Sequence, residues 1–311
     1  MNFVVGARGS KLSLAQTNWV ISELQKIDSS LSFEIKSITT KGDTDTRPLF
    51  AMEQKGIFEK EIDRAVFEKE IDFAVHSLKD VPSKLDPDLT ISCVPKREAI
   101  NDVLITREGF DIKSVPSGSV IGSSSLRRAV QVMRQRPDLV VKPVRGNIET
   151  RINKVTDGKF DGIVLAQAGI TRLGSNIKFS KLSLDDFPPS PGQGALAIVS
   201  RKDNSNTLEM LKKIEDYRSR MEIEAERALS ESVDSGCRFP VGAFAVSNFN
   251  SLTLKVAVYS MNGKKSIVLE KTGELDKPKE LGKLLGTELI DKGVKDIASN
   301  WREELEEWNK Q

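Results

Sequence analysis

Cys237 stands in SGCRFPVG, in a chain of 311 residues that holds two cysteines and one histidine. A glycine before it and Arg238, Phe239 and Pro240 after it put the sulfur on a turn beside a fixed positive charge, conditions that favour thiolate. A thiolate of this kind can form a covalent bond; an isolated cysteine also simply packs, and the residue alone does not choose. A second segment that could do chemistry is IDFAVHSLKDVP, Ile71 to Pro82. It reads as an apolar strand running into a turn that offers His76, Lys79 and Asp80. Lys79 is a counter-charge for Asp80, and a carboxylate in cationic surroundings can steady a developing cation or move protons. A salt-bridged turn aspartate is the plainer use. His76 could act as acid or base, but a strand-end histidine more often packs and hydrogen-bonds. Cys93, inside LTISCVP, reads as core.

The arginines recur at comparable places. Arg8, Gly9 and Ser10 form a loop that opens the first helical pattern, where free backbone N–H groups favour an anion. Ser123, Ser124 and Ser125 lead into Arg127 and Arg128, and paired guanidiniums can each grip a carboxylate through two N–H bonds. In VRGNIETR, Arg145 ends a strand and Arg151 follows on a helix, with Gly146 allowing close approach. Lys79, Asp80 and Arg172 also follow strands. Singly each arginine reads as a surface charge, but the repetition at strand ends points to a ligand carrying several carboxylates or phosphates. Carboxylates are favoured, because no P-loop or GxGxxG fingerprint is present and arginine predominates over lysine.

Positioning these groups requires strands that end together. Up to about residue 200, apolar β-rich runs alternate with helical patterns, which is an α/β arrangement whose ligands bind at the carboxyl ends of strands. Two such sets are present, the second beginning near Asp102. PPSPGQG, Pro188 to Gly194, is the clearest linker, and ALAIVS after it reads as a strand returning to the first lobe. From about Tyr217 a charged helix, three strands and terminal helices suit a small α+β domain. The expected division is 1–97 with 194–215 as the first lobe, 98–193 as the second, and 216–311 as the third domain.

Composition excludes several classes of function. Lys plus Arg number 47 against 45 Asp plus Glu, a net charge of +2, so no nucleic-acid partner is expected. Two distant cysteines and one histidine make neither a disulfide framework nor a metal cluster. No signal-peptide order opens the chain and no apolar run reaches membrane-spanning length, so a cytoplasmic protein without a membrane partner is expected.

With these residues assembled, the chain resembles the porphobilinogen deaminase family, the hydroxymethylbilane synthases of tetrapyrrole biosynthesis. The resemblance is carried by GARGSKLSLAQ, TTKGDTDTRPL, KGIFEKEID, HSLKDVP, IGSSSLRRAVQ, RGNIETRI, DGIVLAQAGITRLG, PSPGQGALAI and ERALSESVDSGCRFPVGAFA, in matching order and spacing. Beyond Val246 only length and pattern match. The resemblance implies an α/β fold of two periplasmic-binding-protein-like doubly wound lobes and a small α+β C-terminal domain. It implies a transferase that joins four porphobilinogen units head to tail, releasing ammonia, on a dipyrromethane cofactor held through a thioether to Cys237. By the same resemblance Asp80 is the catalytic carboxylate. Lys79, Ser125, Arg127 and Arg128 bind cofactor, and Arg8, Ser10, Lys55, Arg145, Arg151 and Arg172 bind substrate. The loop Thr44 to Gln54, without periodicity and with charges of both signs, reads as a lid, and a monomer is expected. KREAIND and Glu149 depart from the family pattern, the second near Arg145 and Arg151.

Three rival readings remain at this stage. A solute-binding protein explains both lobes and the arginines but not Asp80 beside Lys79 or Cys237. The sensing part of a transcription regulator lacks a helix-turn-helix segment. A cysteine hydrolase needs a base beside Cys237, and the single histidine belongs to a different expected domain.

Overall fold

The computed structural model describes residues 1–40, 59–233 and 240–297. Its elements begin with β1 (Asn2–Ala7), α1 (Lys11–Ile27), β2 (Ser32–Ser37), α2 (Lys60–Phe67), β3 (Phe73–Ser77) and β4 (Leu89–Cys93). There follow β5 (Asp102–Thr106), β6 (Val120–Ser123), α3 (Leu126–Gln135), β7 (Val140–Pro143), α4 (Ile148–Thr156), β8 (Gly162–Ala166), α5 (Gln167–Arg172) and β9 (Ser180–Lys181). The chain continues through β10 (Leu196–Arg201), α6 (Ser205–Lys212), α7 (Tyr217–Val233), β11 (Val241–Asn248), β12 (Ser251–Tyr259), β13 (Ser266–Glu274), α8 (Pro278–Asp291) and α9 (Val294–Ile297).

Two compact units result, one of Met1–Glu98 with Gly192–Arg220, the other of Ala99–Pro191 with the chain from Met221 on. In the first, the sheet order is β2-β1-β3-β10-β4. β1 runs parallel to β2 and β3, while β10 returns antiparallel between β3 and β4. Apolar side chains leave both faces of this sheet. Phe3, Val5, Phe73 and Ile198 pack with Val20 and Leu24 of α1, and Ala74 and Val199 pack with Ile62 and Val66 of α2. Burial on both faces explains why β3 and β10 read as continuous apolar runs without alternation.

The second unit holds a sheet of order β7-β6-β8-β5-β9, again mixed, with β5 antiparallel to β8. Each doubly wound sheet therefore keeps one antiparallel strand where the chain passes between the 1–98 and 99–191 stretches. The second unit also contains the antiparallel sheet β11-β12-β13, packed through Leu254, Val256 and Val258 against Leu229 of α7 and Leu285 of α8. The architecture is the expected α/β fold, two mixed five-stranded sheets, with a C-terminal α+β part. Among the described residues no helix is long and apolar enough to cross a membrane.

Candidate functional site

In the first unit the decisive local structure is the 3-10 turn Leu78–Asp80 that follows β3. Leu78 is buried, and its N–H donates to Ala195 O at 3.0 Å, so the turn is tied to the start of β10. Gln16 Nε2 of α1 donates to Ser77 Oγ at 2.8 Å just before it. Lys79 and Asp80 are left exposed at the tip of a fixed turn. Arg8 follows β1, and its backbone N–H donates to Ser13 Oγ at 3.1 Å. Ser10 caps α1 by accepting from Ser13 N at 3.3 Å. The cap leaves the loop open at a helix N-terminus, a setting that favours anions.

Behind this turn lies a carboxyl cluster that the sequence pattern does not single out. Glu59, directly before α2, is 4% exposed. Burial pushes its carboxyl up to about 9, the charges of Asp80 and Asp63 push the same way, and Arg8 opposes them. At neutral pH Glu59 is therefore a neutral acid beside Asp80. One turn further along, Asp63 Oδ1 lies 2.9 Å from Nε2 of the buried His76. His76 is thus a hydrogen-bonded packing residue on β3, as its strand-end place implies. The signal for Glu59 was legible in principle: with Ile62 and Val66 it falls at the i, i+3, i+7 spacing of a buried helix face. Cys93 is buried in the core of the same unit, and burial together with Glu215 raises its thiol.

In the second unit the arginines gather about one carboxylate. Asp102 opens β5 and is 0% exposed, and its Oδ2 accepts from Arg127 Nη2 at 2.8 Å. Its Oδ1 accepts from Arg128 Nε and Nη2 at 3.0 and 2.7 Å. Arg127 and Arg128 open α3, whose N-cap Ser125 makes no side-chain cap bond. Ser123 Oγ instead shapes the turn, accepting from Ser125 N at 3.1 Å and donating to Ser125 O at 2.9 Å. Asp102 escaped the sequence reading, although an acid at the head of the apolar run DVLIT must find cations when buried.

Arg145 and Arg151 flank Gly146, whose φ of +115° and close approach to Thr150 require glycine. Asn147 then caps α4, accepting from Thr150 N at 2.8 Å. Arg151 is half-buried and donates to Gly146 O at 2.7 Å and to Ser124 Oγ at 2.6 Å. Desolvation, followed by the like charges of Arg128 and Arg145, pushes its guanidinium down to about 10. Arg172 ends α5, half-buried, after β8. Lys55, the Thr44 to Gln54 span and Cys237 lie outside the described residues. Among the described residues no group of three or more His, Cys, Asp or Glu could hold a metal ion.

A family model described as "Porphobilinogen deaminase, dipyromethane cofactor binding domain" matches residues 3–209, and one described as "Porphobilinogen deaminase, C-terminal domain" matches 220–291. The chain belongs to the porphobilinogen deaminase family. A "Probable porphobilinogen deaminase" of Nitrosopumilus maritimus is 64% identical over 310 residues, covering 100% of both chains. The porphobilinogen deaminase of Carboxydothermus hydrogenoformans is 40% identical over 306 residues, covering 98% of each. Among solved structures, an ABC-transporter periplasmic substrate-binding protein from Coxiella burnetii is similar over 68% of this chain and 91% of that one, at 12% identity and a TM-score of 0.42.

As a porphobilinogen deaminase the chain acts on porphobilinogen, in tetrapyrrole biosynthesis, with a dipyrromethane cofactor-binding domain. Family membership sets aside the solute-binding, regulator and cysteine-hydrolase readings. The residues fit such a cofactor. Arg127 and Arg128 share one carboxylate, and the neighbouring charges that act on Arg151 are both positive, so the cluster suits a ligand that carries carboxylates.

Proposed function

We propose a division of labour among the residues of this deaminase. Cys237 holds the dipyrromethane through a thioether, Asp80 is the catalytic carboxylate, and the cations take up carboxylate side groups. Lys79, Ser125, Arg127 and Arg128 serve the cofactor, and Arg8, Ser10, Lys55, Arg145, Arg151 and Arg172 serve porphobilinogen. The observation that carries this reading is the state of Arg151, a half-buried guanidinium depressed first by desolvation and then by two neighbouring guanidiniums. A bound carboxylate relieves that repulsion and adds charge-assisted hydrogen bonds.

When bound, the dipyrromethane would supply the free pyrrole carbon to which the first unit is joined, each later unit joining the pyrrole added before it. Asp80 acts on the incoming porphobilinogen. Its exposed carboxylate accepts the pyrrole N–H, offsets the positive charge that grows on that ring as the bond to ammonia breaks, and carries off the proton released on coupling. After four rounds, addition of water across the bond between the first unit and the cofactor would release the linear hydroxymethylbilane and leave the dipyrromethane on Cys237. Cys237 changes its bonding once, when the cofactor is installed, and a thiol that must stay reduced until then suits the cytoplasm. The enzyme needs no nucleic-acid or membrane partner and works as a monomer, which size-exclusion chromatography with light scattering checks.

Intact mass tests the assignment. The purified protein is expected to exceed its chain mass by a dipyrromethane adduct that Cys237→Ser abolishes, and Asp80→Ala is expected to keep the adduct while losing nearly all turnover. Full activity in an unmodified chain, or normal product formation by Asp80→Ala, overturns the corresponding role.

A further inference from the structure

Ser13, Gln16, Thr17, Val20 and Leu24 form the buried face of α1. Val20 and Leu24 are its apolar end, packed with Phe3 and Val5 of β1 and Phe73 of β3. Ser13 and Gln16 are its polar end, both buried, and their spacing of three residues puts them side by side on the helix. Each holds a different loop. Ser13 Oγ accepts from Arg8 N–H at 3.1 Å and Ser13 N–H donates to Ser10 Oγ at 3.3 Å, so the Arg8–Ser10 loop is tied to the helix at both ends. Gln16 Nε2 donates to Ser77 Oγ at 2.8 Å, on the residue that leads into the turn carrying Lys79 and Asp80.

The two loops leave neighbouring strands. β1 and β3 are parallel and paired, Val5 with Phe73 and Gly6 with Ala74. Arg8 and Asp80 therefore follow strands that end on the same side of the sheet, about 4.8 Å apart. Other contacts of the acid turn run toward β10. Leu78 N–H donates to Ala195 O at 3.0 Å, and Gly192, at a φ of +79°, leaves no room for a Cβ against Leu78 and the Lys79 nitrogen. Those contacts seat the turn against the chain entering β10, whereas α1 joins it to the Arg8 loop.

We propose that Ser13 and Gln16 are positioning residues that set the spacing between Arg8 and Asp80, so that a porphobilinogen whose carboxylate is held at Arg8 presents its pyrrole N–H to Asp80. The inference rests on the reading of Asp80 as the catalytic carboxylate and Arg8 as a substrate-binding cation. Two side chains on one rigid helix hold a distance more closely than loops do, and releasing either leaves a buried polar partner unsatisfied. A displacement of about 1 Å can cost on the order of a hundredfold in rate, so a lost tether is read in turnover.

Holoenzyme variants test it, with the dipyrromethane adduct checked by intact mass and folding by circular dichroism. Gln16→Met keeps the length and loses the donor; Ser77→Ala removes the acceptor instead. Both are expected to lower kcat by about fivefold or more, with KM for porphobilinogen within about twofold of wild type. Ser13→Ala releases the Arg8 loop and is expected to raise KM by about fivefold or more, which Ser13→Thr reverses by returning the hydroxyl. In an Asp80→Glu chain, whose acid is already displaced, Gln16→Met is expected to lower kcat by less than about twofold more, because Gln16 acts through Asp80. A smaller fall in kcat in either single variant, a KM that rises in step, or a larger further fall on Asp80→Glu overturns the role of Gln16. A smaller rise in KM in Ser13→Ala, or one that Ser13→Thr does not reverse, overturns that of Ser13. If Gln16→Met does not fold, Ser77→Ala decides, alone and combined with Asp80→Glu. Normal turnover by Asp80→Ala overturns the catalytic reading instead, and is separately recognisable.

Discussion

Arg127 Nη2 lies 2.8 Å from Asp102 Oδ2, and both side chains are shut off from water. Asp102 also serves Arg128, so this carboxylate faces two buried guanidiniums. Removing one member of a buried ion pair leaves charge uncompensated in a poorly polarisable setting. Asp102→Asn keeps the shape and an acceptor but deletes the charge, and is expected to lower stability by about 3–5 kcal/mol. Urea unfolding of the cofactor-free chain measures it; an unchanged midpoint would show that Asp102 does not hold the two arginines in place.

Glu59 predicts a pH dependence of definite sign. Its carboxyl is raised from an ordinary 4.5 to about 9 by burial, Asp80 and Asp63, against Arg8. The unfolded chain releases this proton near pH 4.5, while the folded chain keeps it to about pH 9. The folded state therefore binds the extra proton across that window, and stability falls as pH rises through it. Glu59→Gln is neutral at every pH. The difference in unfolding free energy, variant minus wild type, is expected to grow from pH 5 to about pH 9 and then level off, reaching a few kcal/mol. A flat difference across that range would mean that Glu59 is ionised in the native state at neutral pH.

The lobes were legible because their signals are local. Ser10 and Asn147 sit where caps belong, Phe73–Ser77 is a short apolar run that ends in His76 and Ser77, and the apolar Gly162–Ala166 is followed by Gln167. The places of Arg8 and Arg145, just beyond β1 and β7, were legible for the same reason, whereas Arg151 lies within α4 and Arg172 at the end of α5 rather than at a strand end. Asp102 was not legible, and Glu59 only in part. Asp102 matters because the fold brings β5 within reach of the start of α3. Such partners are chosen by topology, which one segment's composition does not contain. Glu59 differs again, since its place on the apolar stripe of α2 was visible, but the pKa it acquires depends on Asp80 and Arg8 arriving from other elements.

Arg151 is expected to trade stability for binding. Its guanidinium is held down to about 10 by desolvation and by Arg128 and Arg145, so it is ionised at neutral pH at some cost to the empty protein. Arg151→Met removes that repulsion together with the bonds to Ser124 Oγ and Gly146 O. The cofactor-free variant is expected to melt no lower than wild type. KM for porphobilinogen is expected to rise by about 10- to 100-fold, the equivalent of about 1.5–3 kcal/mol for a hydrogen bond to a charged group. Loss of stability with unchanged KM would mark Arg151 as a structural residue only.

Gly242 offers the most local test of how β11 is seated. A Cβ built there meets the carbonyl oxygen, carbonyl carbon and Cβ of Pro188, and backbone cannot move aside as a flexible side chain can. Pro188 O is also the acceptor for both Arg127 and Gln131, so displacing it strains three groups together. Gly242→Ala is expected to cost about 1–3 kcal/mol as overpacking. The change should fall on the Pro188 contact rather than on the C-terminal sheet, whose core side chains Leu254, Val256 and Leu285 are untouched. Hydrogen exchange separates the two. Faster exchange at Ala243, whose N–H donates to Pro189 O, with unchanged protection across β12 and β13, is the expected pattern. Uniform loss of protection through that sheet would show instead that Gly242 supports its fold as a whole.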